Sequence, residues 1–360
     1  APYPALTLSN GQTVAAASSK KAKEVYFDIR RWAFQPEKMV DRILVPALKR
    51  GARILVVMNT VARAVNLLRA AEANPAVSGA WLFNCEGQIC PHHGRFAPAD
   101  REVLDETVSA RLGKGSLPGP VLLVGTQTLE QSLDIDADLL VTDLAPSDVL
   151  LQRVGRLHRH DRGVRPPGCD EARCIVLVPE QPLETALNGQ GEVSGAFKGL
   201  GYGSVYEDLR SLELTYRSLK EYPKIVIPDD NRLLVEKATH PEMMDLLSGE
   251  RWLKHGNLIH GKGIAKEIAA DTISSTFDQY FGEAEFLETG RAVATRLGID
   301  QLRLFLKRQI VSPFGKKLTE ILIPGYMAPD EIDEEFITVT DEADGVTVLR
   351  YKKYCYQYSR

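Results

Sequence analysis

The residues best suited to chemistry are concentrated in Val121–Arg162, VLLVGTQTLEQSLDIDADLLVTDLAPSDVLLQRVGRLHRHDR. Arg153, Arg156 and Arg159 recur at every third position, which on a helix would bring them near one face. Gly155 between them would allow a close backbone approach at that face. Together with His158 and His160 they crowd the nine residues QRVGRLHRH, and such a group is not buried without a polyanion or carboxylate partners. One use of such a cluster is an arginine delivered to a triphosphate, where it neutralises charge developing in the transition state. A solvated basic helix or a contact to a phosphate backbone fits the spacing as well. Upstream, GTQTLEQSLDID offers hydroxyls and amides that can bond phosphates, and Asp134, which can accept from a ribose hydroxyl.

Short apolar runs and helix-period segments alternate around these residues from Glu24 to Pro179. EVYFDI precedes a helix over Pro36–Lys49, ARILVVM a helix over Val61–Ala73, and GAWLFN a helix over Ala99–Gly113. VLLVG, DLLVTD, a helix from Ser147 and CIVLVP follow. This alternation implies an α/β fold, a parallel sheet with helices on both faces, in which ligands bind beyond the carboxyl ends of the strands. Residues 1–23 read as an N-terminal extension. Residues 180–235 read as a linker with connecting helices, beginning with the Gly- and Pro-rich Glu180–Gly203 as a flexible loop. Residues 236–360 read as a smaller mixed α+β accessory domain that ends in the hairpin EEFITVT…GVTVLRYKKYCYQYS.

T-Q-T-x-E-x-S-L-D-I-D after a strand, then Q-R-x-G-R-x-x-R, resembles motifs V and VI of superfamily 2 helicases, in the second of their two RecA-like domains. ILVVMNTVARAV resembles motif IV, and HHGRFAPADRE resembles the H-x-R-F-x-x-x-D-R element that follows it. By its own residues that last stretch reads as a loop and helix cap with Asp100 paired to an arginine. LAPSDVLLQRVGRLHRHDRGVRPPG, EQSLDID, YGSVYED and IPDDNRLLVEKATHPE are similar to the CRISPR-associated helicase–nuclease of type I systems. The resemblance implies ATP and Mg²⁺ as cofactors, with Asp134, Gln152 and Ser132 at the nucleotide and Arg156 and Arg159 as fingers on the γ-phosphate. It places Asn59, Thr60, Arg95, Thr126 and Gln127 along single-stranded DNA. It implies an RNA-guided surveillance complex and a first RecA-like domain, in the same or a separate chain, as partners.

That first domain should supply G-x-x-x-x-G-K-[ST] and the DExH carboxylates. GNLIHGKG at Gly256–Gly263 lacks the hydroxyl and no apolar strand precedes it; the letters D-E-A-D at Asp341–Asp344 come after motif VI, between strand-like flanks. Both read as coincidences, the second as a hairpin turn. No His/Asp cluster of an HD nuclease shows, so the chain reads as a C-terminal fragment, inactive as an ATPase alone. At 360 residues, 44% hydrophobic and 26% charged, it has the composition of a two-unit globular protein without a membrane span, expected in the cytoplasm. The net charge of −4 excludes a uniformly basic coat but not a basic groove. Cys85 and Cys90 frame EGQI, and Cys169 and Cys174 frame DEAR; zinc ligands or packed thiols both fit. Two alternatives stay open: another superfamily 2 motor, or a non-catalytic module clasping nucleic acid.

Overall fold

The computed structural model describes residues 5–15, 22–130, 133–273, 301–324, 336–341, 346–351 and 354–359. The chain divides into two compact units. The first comprises residues 1–84, 89–93 and 106–256, and the second residues 85–88, 94–105 and 257–360.

The first unit is built on a six-stranded sheet. Its strands are β1 (Lys23–Arg30), β2 (Arg53–Val57), β3 (Val121–Gly125), β4 (Leu139–Asp143), β5 (Ala172–Leu177) and β6 (Lys224–Ile227). Their order across the sheet is β6-β1-β5-β4-β2-β3, parallel throughout except for the antiparallel edge strand β6. β2, β3 and β4 are buried at every position, as strands covered on both faces must be. A helical run α1 (Pro36–Met39, a π turn over Val40–Leu44, then Val45–Lys49) and helix α2 (Val61–Ala73) bury Leu44, Leu48, Leu67 and Leu68 against Ile54, Val56, Val124 and Val141. Thr60 caps α2 by accepting from the Arg63 amide. Helices α3 (Pro98–Leu112), α4 (Ser147–Val154), α5 (Leu209–Glu221), α6 (Asn231–Thr239) and α7 (Glu250–Ile273) follow.

Three expectations need correction. GAWLFN is no strand of its own: Gly79–Trp81 form a 3₁₀ turn and Leu82 makes a single bridge to Leu122. Residues 180–235 are not a linker but part of the first unit. Leu183, Leu187, Leu200 and Tyr202 are buried, and β6 completes the sheet edge, so the Gly- and Pro-rich stretch packs through apolar residues set between its turns. Gly256–Gly263 lies inside the helix α7, in keeping with the reading of GNLIHGKG as a coincidence. The first unit accordingly extends to residue 256 rather than 179.

The second unit carries a five-stranded sheet of β7 (Gln301–Val311), β8 (Lys317–Pro324), β9 (Phe336–Asp341), β10 (Val346–Tyr351) and β11 (Tyr354–Ser359). Their order is β8-β7-β9-β10-β11. β9 and β10 pair antiparallel with Asp341 opposite Thr347, which makes the flanks of D-E-A-D a hairpin; residues 342–345 lie outside the described residues. Leu304, Leu306, Ile310, Leu318 and Ile323 form this unit's core, with Ala97 and Ala99 packed against it. Asp100 is buried here and accepts from the Ser312 hydroxyl; among the described residues no arginine pairs with it. Burial raises its carboxyl above the ordinary range, although Ser312 and Lys316 act against this.

Candidate functional site

The three arginines spaced by three do not share a helix face. α4 ends at Val154 with Gly155 as its cap, so only Arg153 is helical. Arg153 is fully buried, and its five N–H donors meet five acceptors. Nε donates to Glu130 Oε1 at 2.8 Å, one terminal nitrogen to Thr142 Oγ1 (2.6 Å) and the Asp143 carbonyl (3.1 Å), and the other to Asn59 Oδ1 (3.1 Å) and Tyr206 Oη (2.8 Å). One side chain thus ties together the loops after β2 and β3, the end of β4 and the segment before α5. Lys23 secures the end of α4 from β1, donating to the carbonyls of Val154 (3.0 Å) and Leu157 (2.5 Å).

Arg156 is also buried, and it folds onto the loop after β3, donating to the carbonyls of Glu130 (2.6 Å) and Leu133 (2.7 Å). Its Nε is buried without an acceptor among the described residues, and burial together with Arg159 pulls the guanidinium below its ordinary pKa. Arg159 differs. Its Nε faces Asp134 at 3.2 Å with 39% and 41% of the two side chains exposed. His160 Nε2 meets the same carboxylate at 2.7 Å, and the Lys114 amide donates to it at 3.0 Å. Slight burial pushes Asp134 upward, but His160, Lys114 and Arg159 hold it below the usual carboxylate range.

The loop carrying Arg159 is held by an arginine–aspartate lattice. Asp136 and Asp138, both buried, face each other's partners: Arg165 donates to Asp136 (2.9 Å) and Asp138 (2.7 Å), Arg53 to Asp138 (2.9 Å), and Arg162 to Asp136. Asp136 also accepts from the Arg159 amide at 2.8 Å. Burial acts to raise both carboxyls, but these donors keep them below the usual range. His158, at φ 45°, is pushed down to about 4 by burial and by Arg165, so its imidazole is neutral.

The expected nucleic-acid residues separate by exposure. Asn59 is 1% exposed; its amide donates to the carbonyls of Leu144 (2.9 Å) and Leu200 (3.1 Å). Thr126 is buried too, while Gln127 is half-buried, with Nε2 on the Asn59 carbonyl at 2.8 Å, and Thr60 reaches the Gly199 carbonyl at 3.2 Å. Gln152 is exposed on α4, Arg95 is exposed in the second unit, and Ser132 lies outside the described residues. His92 is buried beside β3, with Nδ1 at 2.8 Å from Thr128 Oγ1. Cys85, Cys90, Cys169 and Cys174 are buried thiols outside any disulfide among the described residues, and burial pushes the thiols of Cys169 and Cys174 up. Among the described residues no three His, Cys, Asp or Glu side chains converge as a metal site.

Sequence reasoning missed Glu130, Tyr206, Arg53, Arg162, Arg165 and the Asp143–Arg63 pair (2.6 Å), which together fix the site. A signal for the lattice was present: Asp134, Asp136 and Asp138 alternate before an apolar strand, and Arg159, Arg162 and Arg165 follow at spacing three.

Residues 50–162, which hold Glu130, Asp134, Arg153, Arg156 and Arg159, match the family model described as the C-terminal part of the CRISPR-associated nuclease/helicase Cas3. The CRISPR-associated endonuclease/helicase Cas3 of Thermus thermophilus is 33% identical over 276 residues, 67% of this chain and 28% of the relative. The chain belongs to the Cas3 family. It spans little more than a quarter of that relative's length. The fold is likewise that of Cas3: a crystal structure of T. fusca Cas3–AMPPNP superposes with a TM-score of 0.62 at 24% identity, over 86% of this chain and 34% of that one. A chain of a CRISPR RNA-guided surveillance complex in a pre-nicking state superposes at 0.63 with 21% identity, over 94% and 46%. Among the described residues no helix is long and apolar enough to cross a membrane.

Proposed function

We propose that this Cas3-family chain acts as the second RecA-like half of an ATP-dependent translocase on single-stranded DNA. In this reading it works with a first RecA-like domain and is recruited by an RNA-guided surveillance complex to degrade invading DNA. The observation that carries the reading is the fate of the arginines. Arg153, Arg162 and Arg165 are committed to buried acceptors, whereas Arg159 stands half-exposed on a fixed loop against a half-exposed Asp134. An arginine finger needs this combination, a rigid base and a head that can exchange partners.

The residues fit a nucleotide on this side. Asp134 keeps its charge and can accept from a ribose hydroxyl, Gln152 is exposed on α4, and the buried Arg156 Nε has a donor to give. Ser132, two residues before Asp134, completes the proposed set. Bound ATP with Mg²⁺ supplies the scissile phosphoanhydride, and the first domain grips the phosphates and the metal. Arg159 leaves Asp134 for the γ-phosphate, whose greater charge outcompetes a single carboxylate, while Arg156 steadies the loop from below. Thr60 and Gln127 of the first unit and, separately, Arg95 of the second contact the DNA backbone directly; Asn59 and Thr126, being buried, position Thr60 and Gln127 from beneath.

ATP turnover tests this. The isolated chain with single-stranded DNA should show background turnover only. In a protein that joins it to the first RecA-like domain, Arg159→Ala should lower kcat by about 10³-fold while DNA binding persists. Parent-like turnover would refute the finger. Lost DNA binding with a reduced salt slope would instead mark a nucleic-acid clasp.

A further inference from the structure

A second basic surface on the first unit shares no residue with the candidate site. Between α1 and the strands β1 and β5 opens a cavity of about 260 Å³. Arg30 of β1, Arg42 of α1, Arg50 just after α1 and Arg173 of β5 line it, and no carboxylate does. Four guanidiniums converging in a chain of net charge −4 are a marked local excess. Arg30 and Arg173 pair with neighbours on their own strands or turns, Asp28 and Glu171, in pairs exposed by 44%/30% and 48%/48%, and Arg173 also lies 5.7 Å from the Tyr26 ring centroid. Such exposed pairs contribute little and exchange readily. Arg42 and Arg50 have no hydrogen-bonded or ion-paired acceptor among the described residues.

Beneath the arginines the floor is aliphatic. Ile43, Leu139 and Ile175 belong to the core but each keeps 8% exposure, so the core reaches the surface at this point. Trp32 is the aromatic residue in the lining, and two cations already sit over its ring, Lys38 at 4.8 Å and Arg30 at 5.7 Å. Nucleic acid bound without sequence preference needs open aromatic faces for its bases. An aliphatic floor under guanidiniums suits a different ligand.

We propose that this cavity docks an acidic segment of a partner protein, with one apolar side chain on the Ile43–Leu139–Ile175 floor and flanking carboxylates on Arg42 and Arg50. Guanidiniums take carboxylates bidentately, which fixes the register of such a segment, and the apolar anchor supplies the desolvated centre that interfaces need. The small volume admits one anchor, so the contact is of the weak, exchangeable kind.

Fluorescence anisotropy of the chain tests the assignment. The probe is a labelled twelve-residue peptide of Asp and Glu with Leu at every third position. The comparators are the same peptide with Gly for Leu and a twelve-nucleotide oligo-dT. Arg42→Ser with Arg50→Ser changes two exposed side chains, and an unchanged unfolding midpoint verifies its fold. The expected result is saturable binding of the Leu peptide, weaker binding of the Gly peptide, and a loss of about tenfold or more for the Leu peptide in the double variant. No binding of the Leu peptide, or equal binding by the folded double variant, would overturn the proposal. So would oligo-dT binding more tightly than the peptide through the same arginines.

Discussion

Replacing Arg153 by Met keeps much of the side-chain volume while removing the guanidinium. The change takes from Glu130, 6% exposed, the cation that faces it at 2.8 Å, and it withdraws donors from Thr142, Asn59, Tyr206 and the Asp143 carbonyl. Breaking a buried pair from one side costs about 3–5 kcal/mol, a large part of the roughly 5–15 kcal/mol that stabilises a domain. Tyr206→Phe removes one of the five bonds and should cost about 1–2 kcal/mol. Adding Glu130→Gln to Arg153→Met removes the buried charge and should recover part of the loss, a coupling that a double-mutant cycle reads directly. Urea unfolding followed by tryptophan fluorescence is the assay. Trp32, Trp81 and Trp252 are all of the chain's tryptophans and all lie in the first unit, so the signal reports that unit alone. An Arg153→Met loss below about 1 kcal/mol, or a double variant no more stable than the single, would refute the hub.

Arg165→Met should also cost about 3–5 kcal/mol, because Asp136 and Asp138 are buried, while Arg159→Ala should stay within about 0.5 kcal/mol; equal losses in urea melts would contradict the division between lattice and finger. His158 titrates at about 4 when folded against an ordinary value near 6.5, so the unfolded chain binds the proton more readily. Its contribution is therefore complete above pH 6.5 and declines as pH falls towards 4, by as much as about 3 kcal/mol, and His158→Asn, which tolerates the positive φ, should flatten that window. Asp134, Asp136 and Asp138, held below the usual range, contribute above about pH 4 and lose it under more acid conditions, in both proteins. Gly125→Ala would place a Cβ 2.5 Å from the His92 carbonyl oxygen and from Leu129 Cδ1, so a loss of about 1–3 kcal/mol in melting is expected.

Much of the first unit was legible because its strands are fully buried and its helices periodic. RILVV, VLLVG and LLVTD can be little else, and Thr60 before VARAVNLLRA announces a cap. The segment 180–235 was misread because Gly and Pro density suggests a linker, whereas its order comes from isolated buried residues such as Leu183, Leu200 and Tyr202 that no period reveals. The candidate site was legible as a list of residues but not as roles. Asn59 looked like a phosphate ligand, yet its amide is held by two carbonyls and Arg153, partners that lie far along the chain. Arg53 carried no visible signal, since its partner Asp138 is set by the order of the strands.

The arginines show why spacing alone misleads. A three-residue repeat implies a common face only while the helix lasts, and α4 ends between the first arginine and the second. After that the backbone turns, with His158 at positive φ, and the chain runs back along Asp134–Asp138. Each arginine then meets a different environment: a fully satisfied interior for Arg153, backbone carbonyls for Arg156, and a solvent-facing carboxylate for Arg159. Burying the first two is what allows the third to be mobile at its tip and fixed at its base. A loop held by Arg162 and Arg165 on two buried aspartates cannot drift, so whatever binds at Asp134 must compete for Arg159 where it stands. Loosening the lattice should therefore impair Arg159 without touching it. In the joined protein, Arg165→Met assayed at a temperature where it remains folded should lower kcat for ATP as Arg159→Ala does; an unchanged kcat would show that Arg159 needs no such foundation.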